Sequence, residues 1–227
     1  MTAAPHQPEA ESDEGPRWRR RPEERPEEIL SAALEVFGEI GFANATLDAV
    51  ARKAGVCKGT LYLYFDSKDA LFREMLRSKC GAALALAEER LDGFRGTAGE
   101  ALEFFIRCMW DEVRRPEMVR IARLVHAELG RFPELARFHF SEVIVRSRRL
   151  VARILDRGVA EGEFRPTAHG FAVRAIPAFL VQGAMSQRGF GQYDPDAITD
   201  DQLVEGVIDL VRHGVLARPA APAGGKE

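Results

Sequence analysis

Residues 46–65 read TLDAVARKAGVCKGTLYLYF, and that pattern leaves few folds open. Two short helical signals flank a tight Ala54-Gly55-Val56 turn. Thr46 stands where an N-cap is needed for the first, LDAVARKA, and Gly55 ends it. The second spans about residues 58–64. Leu47, Val50, Ala51, Ala54, Val56, Leu61 and Phe65 fall on faces that can share one small core with Phe37 and Phe42. This is helix-turn-helix geometry, in which the first helix is the packing partner of the second.

The second helix is then left with Lys58, Gly59, Thr60, Tyr62, Leu63 and Tyr64 outside or at the edge, including two of the three tyrosines in the chain. An exposed tyrosine pair on a short helix is hard to explain by stability. It suits DNA: a phenol bonds a phosphate oxygen while its ring packs on sugar or a thymine methyl. Thr and Lys add phosphate or base contacts, and Gly lets backbone approach. Lys68, at the start of the next helix, adds charge to free N–H groups that favour an anion. The net charge of −3 gives no global attraction to nucleic acid, but binding depends on the local surface.

Helical signals recur through the 227 residues. Pro26, Glu27 and Glu28 open a first helix, whose apolar positions Ile29, Ala33, Val36, Phe37 and Ile40 follow a 3.6 period and which Gly41 stops. Asp66 or Ser67 caps a long fourth helix through ALFREMLRSKCGAALALAEERL. Thr97 with Glu100, and Thr199 with Gln202, are spaced as capping boxes. Pro116 and Pro133 suit first-turn positions, and Gly130 and Gly162 suit helix ends. Thr167 can cap a helix that Pro177 should kink. No segment shows sustained period-2 alternation, so the expected fold is all-α, with about nine helices and no sheet. Residues 1–24, with an acidic run before Arg17–Arg21, read as a disordered arm. Residues 25–72 read as the helix-turn-helix domain, 73–217 as a second helical domain, and 218–227 as a loose tail. Arg17–Arg21 are a candidate minor-groove arm, diluted by Glu23, Glu24, Glu27 and Glu28.

Composition excludes other classes. No window approaches the roughly 18 apolar residues of a membrane span, and the N-terminus has neither the basic nor the apolar region of a secretory signal. A cytoplasmic protein is expected. Cys57, Cys80 and Cys108 form no metal-ligand spacing, and no metal or cofactor is expected. No nucleophile-elbow, zinc-protease or P-loop motif occurs, so an enzyme is not expected.

The run EILSAALEVFGEIGFANATLDAVARKAGVCKGTLYLYFDSKDALFREML closely resembles the N-terminal domain of the TetR/AcrR family of bacterial transcriptional regulators. The resemblance covers about residues 27–76, and several elements match in order: AAxxxF, GF before a Thr cap, AxxAGV, GTLYxYF and SKDAL. By position it assigns DNA contacts to Thr46, Lys58, Gly59, Thr60, Tyr62, Tyr64 and Lys68. Cys57 departs from the common Ser, and a thiol is a poor N-cap.

The resemblance further implies a ligand-sensing and dimerising C-terminal domain, and RLVHAELGRFPELARFHFSEVI is similar to a recurring middle portion of such domains. Phe104, Phe105, Met109, Trp110, Met118, His126, Phe138 and Phe171 are candidates to line an apolar ligand cavity, although Met and aromatics serve an ordinary core equally well. AIPAFLVQGAM and LVEGVIDLVRHGVL carry strong apolar stripes with Gly183 and Gly206. They are expected to form a dimer face through Ile176, Phe179, Leu180, Gly183, Val204, Val207, Ile208 and Val211, the alternative being burial within the same chain. The partners implied are double-stranded DNA with a near-palindromic site, a second copy of the chain, and a small apolar effector of unknown identity. The function implied is that of a dimeric, ligand-responsive repressor. Competing readings are a thiol redox sensor at Cys57 and a helical enzyme with its site in the C-terminal domain.

Overall fold

A computed structural model describes residues 25–166 and 169–215. Among them are nine helices and no strand. The chain runs through α1 (Arg25–Asn44), α2 (Leu47–Lys53), α3 (Lys58–Tyr64) and a long α4 whose stretches Lys68–Leu76 and Ala82–Asp92 are joined by a π-helical turn, Arg77–Gly81. α5 (Ala98–Val113) and α6 (Pro116–Glu128) follow, then a 3₁₀ turn, Leu129–Arg131. α7 is again two stretches, Pro133–His139 and Val145–Ala160, around a π turn, Phe140–Ile144. α8 (His169–Gly189) and α9 (Asp200–Val215) complete the bundle. The arm over 1–24, the Arg17–Arg21 run, Thr167 and the tail lie outside the described residues.

Local chemistry sets the helix boundaries. Thr46 accepts from the Ala49 N–H at 3.1 Å and Ser67 from the Ala70 N–H at 3.1 Å, so Ser67 is the cap of α4. Thr97 and Glu100 form the reciprocal capping box, and Thr199 and Gln202 exchange bonds in the same way. Pro116 and Pro133 open α6 and α7. Gly41 breaks α1 in the left-handed region, φ +77°, where L side chains are strained. Ile40, expected on the inward stripe, is exposed beside that break. Cys57 precedes α3 without a side-chain cap bond; its sulfur instead meets the Thr60 hydroxyl at 2.9 Å.

Two cores hold the bundle. The first gathers Phe37, Phe42, Leu61, Phe65, Phe72 and Met75 with Ile121, Leu124, Leu129, Leu135 and Phe138, so α6 and the start of α7 pack on the helix-turn-helix. Phe42 is its hub, with ring centroids 5.4 Å from Phe37, 5.1 Å from Phe72 and 4.9 Å from Phe132. The second core joins α5, α7, α8 and α9 around Phe105, Trp110, Leu150, Ile154, Leu180 and Ile208.

Five of the residues expected at a dimer face, Ile176, Leu180, Val204, Ile208 and Val211, are buried in this second core, and Val207 packs against it. Gly183 serves the same core: a Cβ there would lie 3.0 Å from Leu203 Cδ1 and 3.6 Å from Trp110 Cζ3. An apolar stripe is satisfied by its own neighbours first, and α8 and α9 find theirs on α5, α7 and each other. Phe179 alone of the set is exposed, beside the exposed Phe171 on α8, with Leu210 exposed on α9.

Phe42→Ala removes the hub of the first core. It is expected to cost about 3–5 kcal/mol of stability, measured as a drop in the urea midpoint with unchanged slope.

Candidate DNA interface and effector cavity

The DNA-facing candidates gather on one surface. Leu61 is buried beneath α3, which turns Tyr62, Leu63 and Tyr64 outward at 43%, 84% and 42% exposure. Leu63 was not among the expected contacts, yet it is the most exposed of the three. An apolar tip between two phenols suits a thymine methyl. Its signal in the sequence was its place on the face opposite Leu61. A Cβ at Gly59 would meet nothing within 4 Å, so the backbone there is open to close approach.

Lys58 and Lys68 are arranged differently. The Lys58 ammonium lies 2.9 Å from Asp48 Oδ2 and over the Tyr62 ring at 5.8 Å. The Asp48 hydrogen bond and charge raise its pKa, and the exposed pair is easily exchanged for a phosphate. Lys68 is anchored. Its ammonium donates to the carbonyls of Phe42 at 2.7 Å and Ala43 at 3.0 Å and sits 4.6 Å over the Phe42 ring. Two of its three donors therefore fix the chain entering α2, a positioning role beyond the anion contact expected from the sequence.

A cavity of about 360 Å³ lies between α4 and α8, within the usual range for ligand sites. α4 contributes Cys80, Ala83, Leu84 and Ala87; α5 contributes Phe105, Cys108 and Met109; α6 contributes Met118, Ile121, Ala122, Val125 and His126. α7 adds His139, Val143, Ile144 and Ser147, and α8 adds Pro177, Ala178 and Val181. Arg90, Arg148 and Arg174 also line it, none of them buried.

Four of the expected ligand residues are here: Phe105, Met109, Met118 and His126. The other four are not. Phe104 stacks on Phe94 with centroids 5.1 Å apart, and Trp110 is buried in the second core. Phe138 lies under the guanidinium groups of Arg73 and Arg77. Phe171 is 75% exposed. Aromatic residues were chosen by type, and type does not reveal which helix face turns to the cavity. Cys80, in the wall, is buried, and burial pushes its thiol up to about 12, so it is held as a neutral thiol.

α6 runs from the cavity wall to the turn that precedes α2. His126, in the wall, bonds the Ala122 carbonyl through Nδ1 at 2.8 Å. Just beyond it, Glu128 Oε2 accepts from the Ala43 N–H at 3.3 Å. A Cβ at Gly41 would come within 2.9 Å of Glu128 Oε1.

Comparison with known proteins fits this layout. Residues 29–75 match the family model of bacterial regulatory proteins of the tetR family, and residues 100–212 match the AefR-like transcriptional repressor C-terminal domain. The HTH-type transcriptional repressor KstR2 of Mycolicibacterium smegmatis is 30% identical over 152 residues, covering 64% of this chain and 70% of that relative.

The chain belongs to the TetR family.

It is therefore a DNA-binding transcriptional regulator. The fatty acid metabolism regulator protein of Bacillus subtilis is 27% identical over 138 residues, covering 61% of this TetR-family chain and 70% of that relative. Among solved structures, Bacillus subtilis FadR in complex with stearoyl-CoA superposes with a TM-score of 0.70 at 24% identity, over 83% of this chain and 98% of that one. At 24% identity that likeness speaks for the fold.

Burial pushes the His139 imidazole down to about 4, with the His126 charge acting in the same direction. The unfolded value is 6.5, so between those limits the unfolded chain holds more protons and stability falls as pH drops. The wild type is expected to lose about 2 kcal/mol between pH 7 and pH 5 that His139→Phe does not lose, read from urea midpoints at the two pH values.

Proposed function

We propose that this TetR-family regulator is a cytoplasmic homodimeric repressor, without enzymatic activity, that an amphipathic anionic effector releases from a near-palindromic operator. The observation that carries the reading is the outward apolar and phenolic tip of α3, Tyr62-Leu63-Tyr64, over a buried Leu61. Thr46, Lys58, Gly59 and Thr60 flank it, with Lys68 setting its approach through the Phe42–Ala43 carbonyls. α3 enters the major groove, and two-fold symmetry of the dimer demands a pseudo-palindrome.

The effector class follows from the cavity. Its interior is apolar, and its wall carries Arg90, Arg148 and Arg174 together with one carboxylate, Glu112, which is paired with Arg115 at 3.0 Å. A phosphate-bearing acyl thioester, with its chain inside and its phosphates at the arginines, meets both conditions. Relatives named as a fatty acid metabolism regulator, and a neighbour solved with stearoyl-CoA, support that class. Of the cavity set, Phe105, Met109, Met118 and His126 touch the effector. Dimerisation uses the outer faces of α8 and α9, where Phe179, Phe171 and Leu210 remain exposed. Such a face carries Gly206, whose Cβ position is open. The likeness to a transcriptional repressor and to a fatty acid metabolism regulator favours this reading over a redox switch at Cys57.

Filling the cavity changes operator affinity through α6, whose end is clasped to the turn before α2. A coupling of about 1–3 kcal/mol between effector and DNA is sufficient for regulation.

A footprint of the purified protein on its own upstream intergenic DNA, against a scrambled duplex, tests the reading. A protected pseudo-palindrome is expected; no binding to either duplex at low salt contradicts it. On that site Tyr64→Ala or Leu63→Ala is expected to weaken specific binding by about 1–3 kcal/mol with the salt dependence kept. Lys58→Ala is expected to weaken all DNA binding and to reduce the slope of log K against log salt by about 1.

A further inference from the structure

Two polar atoms among the described residues are buried without any partner: Nδ1 of His139 and Oγ of Ser147. Both residues line the cavity, and Ser147 is 6% exposed. Buried groups of this kind are normally bonded, and leaving one unmet is costly. The helix sets both on one face of the cavity, two turns or about 10 Å apart along its axis. Eight residues apart, they would stand about 80° apart around a regular helix. The π turn Phe140–Ile144 lies between them. A π turn takes up about one extra residue, so the spacing acts as seven, two turns, and both fall on the cavity face.

We infer that His139 and Ser147 are two polar points inside the apolar cavity, each a receptor for an uncharged oxygen, a hydroxyl or carbonyl, carried on the hydrocarbon part of the effector. This rests on the reading of the cavity as the effector site. The imidazole is held neutral by its burial, so a carboxylate at this depth would meet no cation on the pair and would lose its own hydration. A hydroxyl or carbonyl bonds either the serine or the imidazole without a change of charge. The site therefore distinguishes an oxygenated effector body from a plain hydrocarbon one. The anionic end of the same molecule stays with the arginines, so the two ends are read separately.

The test uses octanoic, decanoic and dodecanoic acids, each paired with its ω-hydroxy derivative, titrated calorimetrically into the full-length protein. In an apolar cavity with no partner, the added hydroxyl weakens binding by about tenfold or more. With the receptor present, at least one hydroxy acid is expected to bind as tightly as its parent. Ser147→Ala or His139→Phe, according to which of the two groups the hydroxyl reaches, is then expected to weaken that hydroxy acid by about fivefold to tenfold and to leave the parent acid unchanged or tighter. Ser147→Cys, which keeps the volume, replaces the alanine variant if that one does not fold.

Ethylbenzene and 2-phenylethanol, which carry no charge, separate this inference from the anionic-effector reading. If no acid binds but the wild type favours 2-phenylethanol and Ser147→Ala or His139→Phe does not, the receptor stands and the role of the arginines falls. If every hydroxylated probe binds about tenfold more weakly than its partner, with the same ratio in the variants, the receptor is overturned and the two atoms serve trapped water. A cavity that takes none of the probes overturns it as well.

Discussion

The turn at Gly41–Ala43 is held from two sides, and the relation of the reading head to the rest of the molecule depends on it. From the DNA-binding side, the Lys68 ammonium bonds the carbonyls of Phe42 and Ala43. From the sensor side, the Glu128 carboxylate takes the Ala43 N–H. The Phe42 ring is packed between Phe37, Phe72 and Phe132. Glycine is favoured at 41 by its positive φ, and a Cβ there would also press on the Glu128 carboxylate. Buried aromatic packing supplies the strength of this joint, and the polar bonds supply its direction.

α6 is consequently a two-faced element. Leu124 belongs to the first core, Ala122 and His126 line the cavity, and Ile121 and Val125 touch both. A ligand that displaces this helix acts on the end that carries Glu128. α4 offers a second route, since Cys80 and Ala83 in the cavity wall continue the helix that Ser67 and Lys68 begin. Lys79 adds to it, bridging Glu27 of α1 and Glu117 of α6 at 3.3 and 3.1 Å. Interactions of a few kcal/mol at these joints are commensurate with the coupling that regulation requires.

The helix-turn-helix was legible in the sequence because its signals are local. Thr46, Ser67 and Thr97 cap as their spacing requires, and Leu61 alternates with its exposed neighbours over a single turn. The cavity was legible only in part. Which of Phe104 and Phe105 faces it depends on the rotation of α5, and in α4 and α7 the π turns shift the rotation without a mark in the composition. The shared face of His139 and Ser147 was hidden for this reason. The stripes on α8 and α9 were correctly seen as apolar, but five of their residues face their own subunit, because a stripe does not name its partner. The second role of Lys68 was hidden because its partners are backbone carbonyls 25 and 26 residues away, which no side-chain pattern records.

On the proposed reading, the state of the cavity sets operator affinity through α6. Ala122→Phe tests it most directly, because it fills the cavity from α6 itself and needs no knowledge of the effector. Its affinity for the footprinted operator is measured against wild type at one salt concentration, with folding checked by thermal unfolding. A folded protein that binds the operator about 5–150-fold more weakly is expected. A folded variant that binds as tightly as wild type would contradict it.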